Sequence, residues 1–174
     1  MHARHLGHLV RRFFGSLRPG GPSPADDAWA VGRMTPGEAG LWGRMSLPDR
    51  RHAVVVARRV DAALGPAATR PVLAAALLHD VGKIESGFGP VRRAAATVAG
   101  MVGGHDAARR WRGREGLVGR VGRYLCHDEI GAGLLGAAGS DALTISWARE
   151  HHLPPERWTI AAEVGAALKA ADDD

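Results

Sequence analysis

The chain is 174 residues long, 45% hydrophobic, only 5% aromatic, and carries a formal net charge of +5. That balance excludes a disordered polypeptide and suffices for one domain with a sizeable core. The single cysteine, Cys126, excludes an internal disulfide, and no apolar run approaches the ~20 residues of a membrane span.

A core drawn mainly from Ala, Val and Leu, with few Thr, Tyr or Phe, favours helix over sheet. The lone cysteine and the lack of a signal-peptide pattern make a cytoplasmic setting the expectation. The basic residues are nearly all arginine, Lys83 and Lys169 being the only lysines. Positive charge suits an anionic partner, but scattered arginines also suit solvated helix faces, and no aromatic-interleaved basic motif for nucleic acid is present.

Residues 4–17 place Leu6, Leu9, Val10, Phe13, Phe14 and Leu17 at helical spacing, with Arg11 and Arg12 opposite. This basic amphipathic helix reads either as a peripheral membrane or partner contact, or as an arm packed on the domain. Residues 18–27 read as a linker by their Pro and Gly content, and the following segment, with Trp29, Trp42 and Met45, as packing on the domain edge. Residues 1–45 are therefore set apart from a domain at 46–174.

From Ser46 onward the chain reads as all-α. Ser46 with Asp49 starts a helix that ends at Gly65-Pro66. A second helix is expected from about Pro71 to Gly82, and a third from Pro90 to about Gly103. Residues 104–116 look like a loop. Further helices are expected over 117–125, 128–138 and 140–152, with Pro154-Pro155 breaking the last before a final helix near the C-terminus.

The chemistry sits on these helices. The apolar run Val72–Leu78 ends in His79-Asp80, then Val81-Gly82-Lys83. A buried His-Asp pair needs satisfying, and imidazole nitrogen and carboxylate oxygen are good ligands for zinc, iron or manganese. His52 shares a stripe with Val56, Val60 and Ala63. His127 opens a helix whose stripe continues through Ile130, Leu134 and Ala138. His151 follows Trp147 and Leu143 by four and eight residues, with His152 beside it. Ala161, Val164, Leu168 and Asp172 form one inward face, which selects Asp172 over Asp173 and Asp174. His105-Asp106 repeats the dipeptide without an apolar stripe and receives no role.

The series His52, His79-Asp80, His127, His151-His152 and Asp172 resembles the HD-domain superfamily of metal-dependent phosphohydrolases. Arg51-His52-Ala53-Val54-Val55-Val56-Ala57 is similar to that family's first-ligand helix, Leu78-His79-Asp80-Val81-Gly82-Lys83 to its signature, and His127-Asp128-Glu129-Ile130-Gly131 to a motif of its dinuclear members. The resemblance covers residues 46–174. It implies a compact helical bundle with a metal site between helices, in which His52, His79, Asp80 and Asp172 hold one divalent ion. Asp80 would bridge to a second ion held by His127 and His151, with His152 an added ligand or a phosphate contact. The ligand set leaves Fe, Mn, Zn, Co and Ni open. Leu153-Pro154-Pro155-Glu156-Arg157 follows the paired histidines where the subgroup degrading cyclic di-GMP carries Gly-Tyr-Pro, so that subgroup is not indicated.

Two such ions activate water and neutralise a phosphoryl group, so the implied activity is hydrolysis of a nucleotide or other phosphate ester or anhydride. Asp80 and Lys83 are the catalytic candidates. Lys83 and His152 are the substrate-binding candidates, though Lys83 reads equally as a cation opposing a helix dipole. Arg92, Arg93, Arg120 and Arg123 are candidates for an anionic pocket, and Asp128 and Glu129 for proton donors or plain helix N-terminal acids. The alternative is a non-catalytic sensor or scaffold of the same fold, membrane- or nucleic-acid-associated through its basic N-terminal helix.

Overall fold

The structure is a computed structural model that describes residues 20–89, 92, 95–97 and 106–173. The amphipathic segment 4–17, His105, Arg93 and most of the helix expected at 90–103 lie outside the described residues. Among the described residues there is no strand, which meets the all-α expectation, and no helix is long and apolar enough to cross a membrane.

Helix α1 spans Pro24–Val31 and α2 spans Pro36–Arg44. The first begins inside the stretch read as linker. Ser23 accepts from the Asp26 amide, and Pro24 takes the first helical turn, where its missing N–H is no loss. Trp42 is fully buried rather than set at an edge, because Asp27 accepts its indole N–H at 2.9 Å. Ala30, Leu41, Trp42 and Met45 join the same buried cluster as the helices that follow.

Helix α3 (Leu47–Leu64) starts at the predicted Ser46 cap, whose hydroxyl accepts from the Asp49 amide. Its inward face is Ala53, Val56, Ala57 and Val60, while Ala63 is exposed. Helix α4 (Arg70–Leu78) is buried on every side from Val72 onward, as a helix apolar all round must be. It packs against α3 and against α7 (Ala142–Glu150), so it forms the axis of the bundle. Leu77 and Leu78 are both completely buried, each contributing roughly 1.5–3 kcal/mol by the usual area relation.

The chain leaves α-helical geometry at Leu78, four residues earlier than the sequence reading placed the stop. His79 caps α4, and Val81–Ser86 tighten into a 3-10 turn that ends at Gly87 in the left-handed region, φ 59°. Gly82 is the reason. A Cβ there would lie 1.9 Å from the His127 carbonyl oxygen and 2.6 Å from the Gly131 amide nitrogen. The turn thus lies directly on the backbone of α6 (His127–Ala137), with α5 (Gly116–Leu125) on its other flank.

Residues 106–112, read as loop, are helical, and Ala107 and Ala108 are buried. On α6 the inward residues are His127, Gly131, Ala132 and Leu135, whereas Ile130 and Leu134 are only half-buried. Small residues face the 81–86 turn there, displacing the stripe that bulk hydrophobicity suggested. Helix α8 (Ala162–Asp173) closes the bundle against α3, following a short 3-10 turn at Pro155–Arg157.

Gly82→Ala drives a methyl group into backbone rather than side chain, so we expect a loss of about 3 kcal/mol or failure to fold. Gly133, in the same α6 but with no atom of the described residues within 4 Å of its would-be Cβ, is the control. Gly133→Ala is expected to gain roughly 0.5–1 kcal/mol from helix propensity. Chemical denaturation of both variants checks the contrast.

Candidate metal centre

Three histidines stand at helix ends and make the same local contact. His79 Nδ1 donates to the Ala76 carbonyl at 2.9 Å, His127 Nδ1 to Tyr124 at 2.8 Å and His151 Nδ1 to Ala148 at 3.0 Å. These carbonyls lie in the last turns of α4, α5 and α7, where helices leave oxygens without amide partners. A carbonyl only accepts, so each Nδ1 carries a proton, and whenever the ring is neutral its Nε2 presents a bare lone pair.

Those lone pairs converge on a carboxylate. Asp80 Oδ1 lies 3.2 Å from His127 Nε2 and 3.8 Å from His151 Nε2, and Asp80 Oδ2 lies 3.4 Å from His79 Nε2. The Nε2 atoms of His79 and His151 are buried and have no hydrogen-bond partner among the described residues. Acceptors pointed at acceptors in a dry site repel unless a cation lies among them. The donor set of imidazole nitrogen and carboxylate oxygen therefore fits a divalent transition metal.

The ligand atoms fall into two groups, each with its members within 4.8 Å of one another: His52, His79 and Asp172, and His127, His151 and His152. In the first, Asp172 Oδ1 lies 3.0 Å from His52 Nε2 and 3.6 Å from His79 Nε2. Asp172 is buried, while Asp173 is exposed and pairs with Lys169. In the second, His127 and His152 bring their Nε2 atoms to 3.2 Å. The His79 and His151 rings meet edge to face across the boundary, 5.3 Å between centroids. Asp80 turns one oxygen toward each group.

The electrostatics of the cluster are dominated by burial and by its own neighbours. Burial disfavours charge on Asp80, yet Lys83, His79 and His127 together hold its pKa well below the usual carboxylate value. Burial opposes the charge on His79 as well, but Asp80 and Asp172 outweigh it and raise that imidazole. For His151, burial and then the neighbouring His152 and His79 push the pKa well down. His152 keeps part of its surface in solvent, but its ring lies 3.9 Å from that of His151, and burial with His127 brings its pKa to about 4. Both remain neutral near pH 7, as ligation requires.

The other candidates are placed differently. Lys83 does not point outward; its ammonium donates to Asp80 Oδ2, and that pairing raises its pKa against the effect of burial. Arg120 donates to the carbonyls of Ser86 and Gly87, and Arg123 to those of Glu85 and Arg112, so both brace the turn. Glu129 accepts from Arg109 and Arg112, an ion pair rather than a proton-delivery position. Asp128 is buried, and its carboxylate accepts from the Glu129 amide. Arg92 is exposed.

Two supports were not anticipated. Tyr124 stacks on His127 at 5.9 Å in addition to supplying its carbonyl. Glu150, buried next to His151, accepts from the Thr159 amide and hydroxyl at 2.7 and 2.6 Å and ties down the chain after the 155–157 turn. A histidine immediately after a helix end is a readable signal for the first kind of support; nothing local marks the second.

In metal-free protein, His151 and His152 are neutral in the fold but charge in the unfolded chain below about 6.5. The unfolded state then binds more protons, so stability falls as pH drops from about 6.5 toward about 4. His79, raised in the fold, has the opposite sign: its contribution is complete below about 6.5 and fades as pH rises through its folded value. Melting curves of chelated protein are expected to show the acid-side loss, with a shallower slope in His152→Asn. An acid limb equally steep in that variant contradicts the assignment to His152.

No protein-family model, no curated protein and no solved structure matches the chain.

Proposed function

We propose that the protein is a metal-dependent phosphohydrolase acting on a nucleotide or other phosphate ester or anhydride. The observation carrying this reading is the position of Asp80, with one carboxylate oxygen facing each of two adjoining ligand groups. The resemblance of the His52, His79-Asp80, His127, His151-His152 and Asp172 series to HD-domain phosphohydrolases supports it.

Divalent ions bound there would supply charge neutralisation for phosphoryl oxygens and a lowered pKa for water. His52, His79 and Asp172 would hold one, His127, His151 and His152 the other, and Asp80 would serve both. The chain's own part is orientation. Carbonyls of Ala76, Tyr124 and Ala148 lock three imidazoles in the ligating tautomer, and outer partners of this kind are worth 10- to 100-fold in affinity or activity. Lys83 holds the Asp80 carboxylate in place from the turn below. The buried apolar helix α4 closes the site from behind and keeps water to the open side, where His152 and part of His52 are exposed.

Protein purified without chelator is expected to carry about two equivalents of transition metal by elemental analysis and to release phosphate from members of a nucleotide panel. Chelation should lower the melting temperature by about 5–10 °C, the shift for losing a ligand present at roughly 100 times its Kd. Asp80→Asn should reduce turnover by at least about 100-fold and lower the metal content. Folded, metal-loaded protein that turns over nothing on the panel would instead favour a non-catalytic sensor of the same build.

A further inference from the structure

A cavity of about 520 Å³ opens at the far end of the 81–86 turn from Asp80. Phe88, Arg92 and Ala95 line it on one side, and Leu117, Arg120 and Val121 of α5 on the other. This volume lies within the ~300–1,000 Å³ of small-molecule sites, and its walls are mostly carbon.

Two cations give the cavity a charge preference. Arg120 is fixed: its Nε donates to the Ser86 carbonyl at 2.8 Å, and its guanidinium lies 4.9 Å from the centre of the Phe88 ring. Its partners are neutral carbonyls and an aromatic face, so its charge is not cancelled. Arg92 stands exposed at the rim, and no carboxylate pairs with it among the described residues. Apolar walls, an aromatic ring and two uncompensated guanidiniums suit a flat heteroaromatic group attached to an anion.

The cavity is also at a fitting distance from the metal centre. Six residues of 3-10 helix separate Asp80 from Gly87, roughly 12 Å of rise. On the side-chain route, Phe88 lies 6.4 Å from Tyr124, and Tyr124 lies 5.9 Å from His127. That span is comparable to the reach of a nucleotide from its phosphates to the far edge of its base.

We propose that this cavity is the base-binding subsite for a nucleotide whose phosphate is held at the His–Asp centre, the placement of the phosphate resting on the phosphohydrolase reading. Calorimetric titration of metal-loaded full-length protein tests it, with adenosine 5′-diphosphate and inorganic pyrophosphate as separate probes. Ala95 is exposed, so Ala95→Trp fills the cavity with little risk to folding. It is expected to weaken the nucleotide at least about tenfold, and Arg92→Gln by about threefold or more, with pyrophosphate unaffected in both.

Unchanged nucleotide affinity in Ala95→Trp, or an equal loss for pyrophosphate, overturns the subsite. So does tighter binding of decyl phosphate than of the nucleotide, which would assign the cavity to an alkyl chain. Cavity-dependent nucleotide binding without any phosphate release supports the subsite and removes the hydrolytic reading instead. Phosphate release from pyrophosphate with cavity-independent nucleotide binding does the reverse.

Discussion

A buried carboxylate approached by three imidazole nitrogens is the constraint from which the rest of the structure follows. Asp80 is almost fully buried, and three Nε2 atoms approach it at 3.2 to 3.8 Å. With the imidazoles neutral, such a set of acceptors is unfavourable in a low-dielectric interior unless a cation sits among them. One ammonium, that of Lys83, reaches only one of the two oxygens. The packing around Asp80 is arranged to hold this unfavourable convergence in place. The apolar helix α4 sits at the bundle axis, and the 81–86 turn lies on α6 with no space for a side chain at Gly82.

Helix ends supply the precision. An α-helix finishes with carbonyls short of amide partners, and here three oxygens from last turns accept from Nδ1–H groups. One contact does two things: it completes the backbone hydrogen bonding and selects the ring tautomer. The rings therefore need no separate layer of carboxylates behind them, which suits a chain whose other buried acids are committed elsewhere. Glu150 secures Thr159, and Glu38 accepts from the Thr35 amide at 2.8 Å.

The grouping of the clustered histidines and aspartates was legible in the sequence because they follow helical periodicity. His52, His151 and Asp172 occupy positions that apolar neighbours at spacing four mark as inward, and the Val72–Leu78 run marks α4 as central. What was not legible depended on contacts between distant segments. The stop after Leu78 has no local signal, since Val81 is itself fully buried; it comes from Gly82 meeting residues of α6. The inward face of α6 was misplaced for the same reason, because Gly131 faces the turn and large residues do not. Residues 106–112 looked polar enough for a loop, yet they form a helix that buries Ala107 and Ala108. The start of α1 was hidden in a Pro-rich stretch in which one proline happens to occupy a first helical turn.

The His52–Asp172 contact joins residues 120 positions apart, near the two ends of the α3–α8 bundle. An ion bound to both would act as a covalent clasp does in a secreted protein, closing almost the whole bundle into one loop. On the chain-entropy model, closing a loop of that size restricts the denatured ensemble by on the order of 4–5 kcal/mol. With a single, buried cysteine, the chain has no internal disulfide to do this. The centre would then be a cross-link between the two ends of the bundle, and metal supply would set how long the folded chain persists.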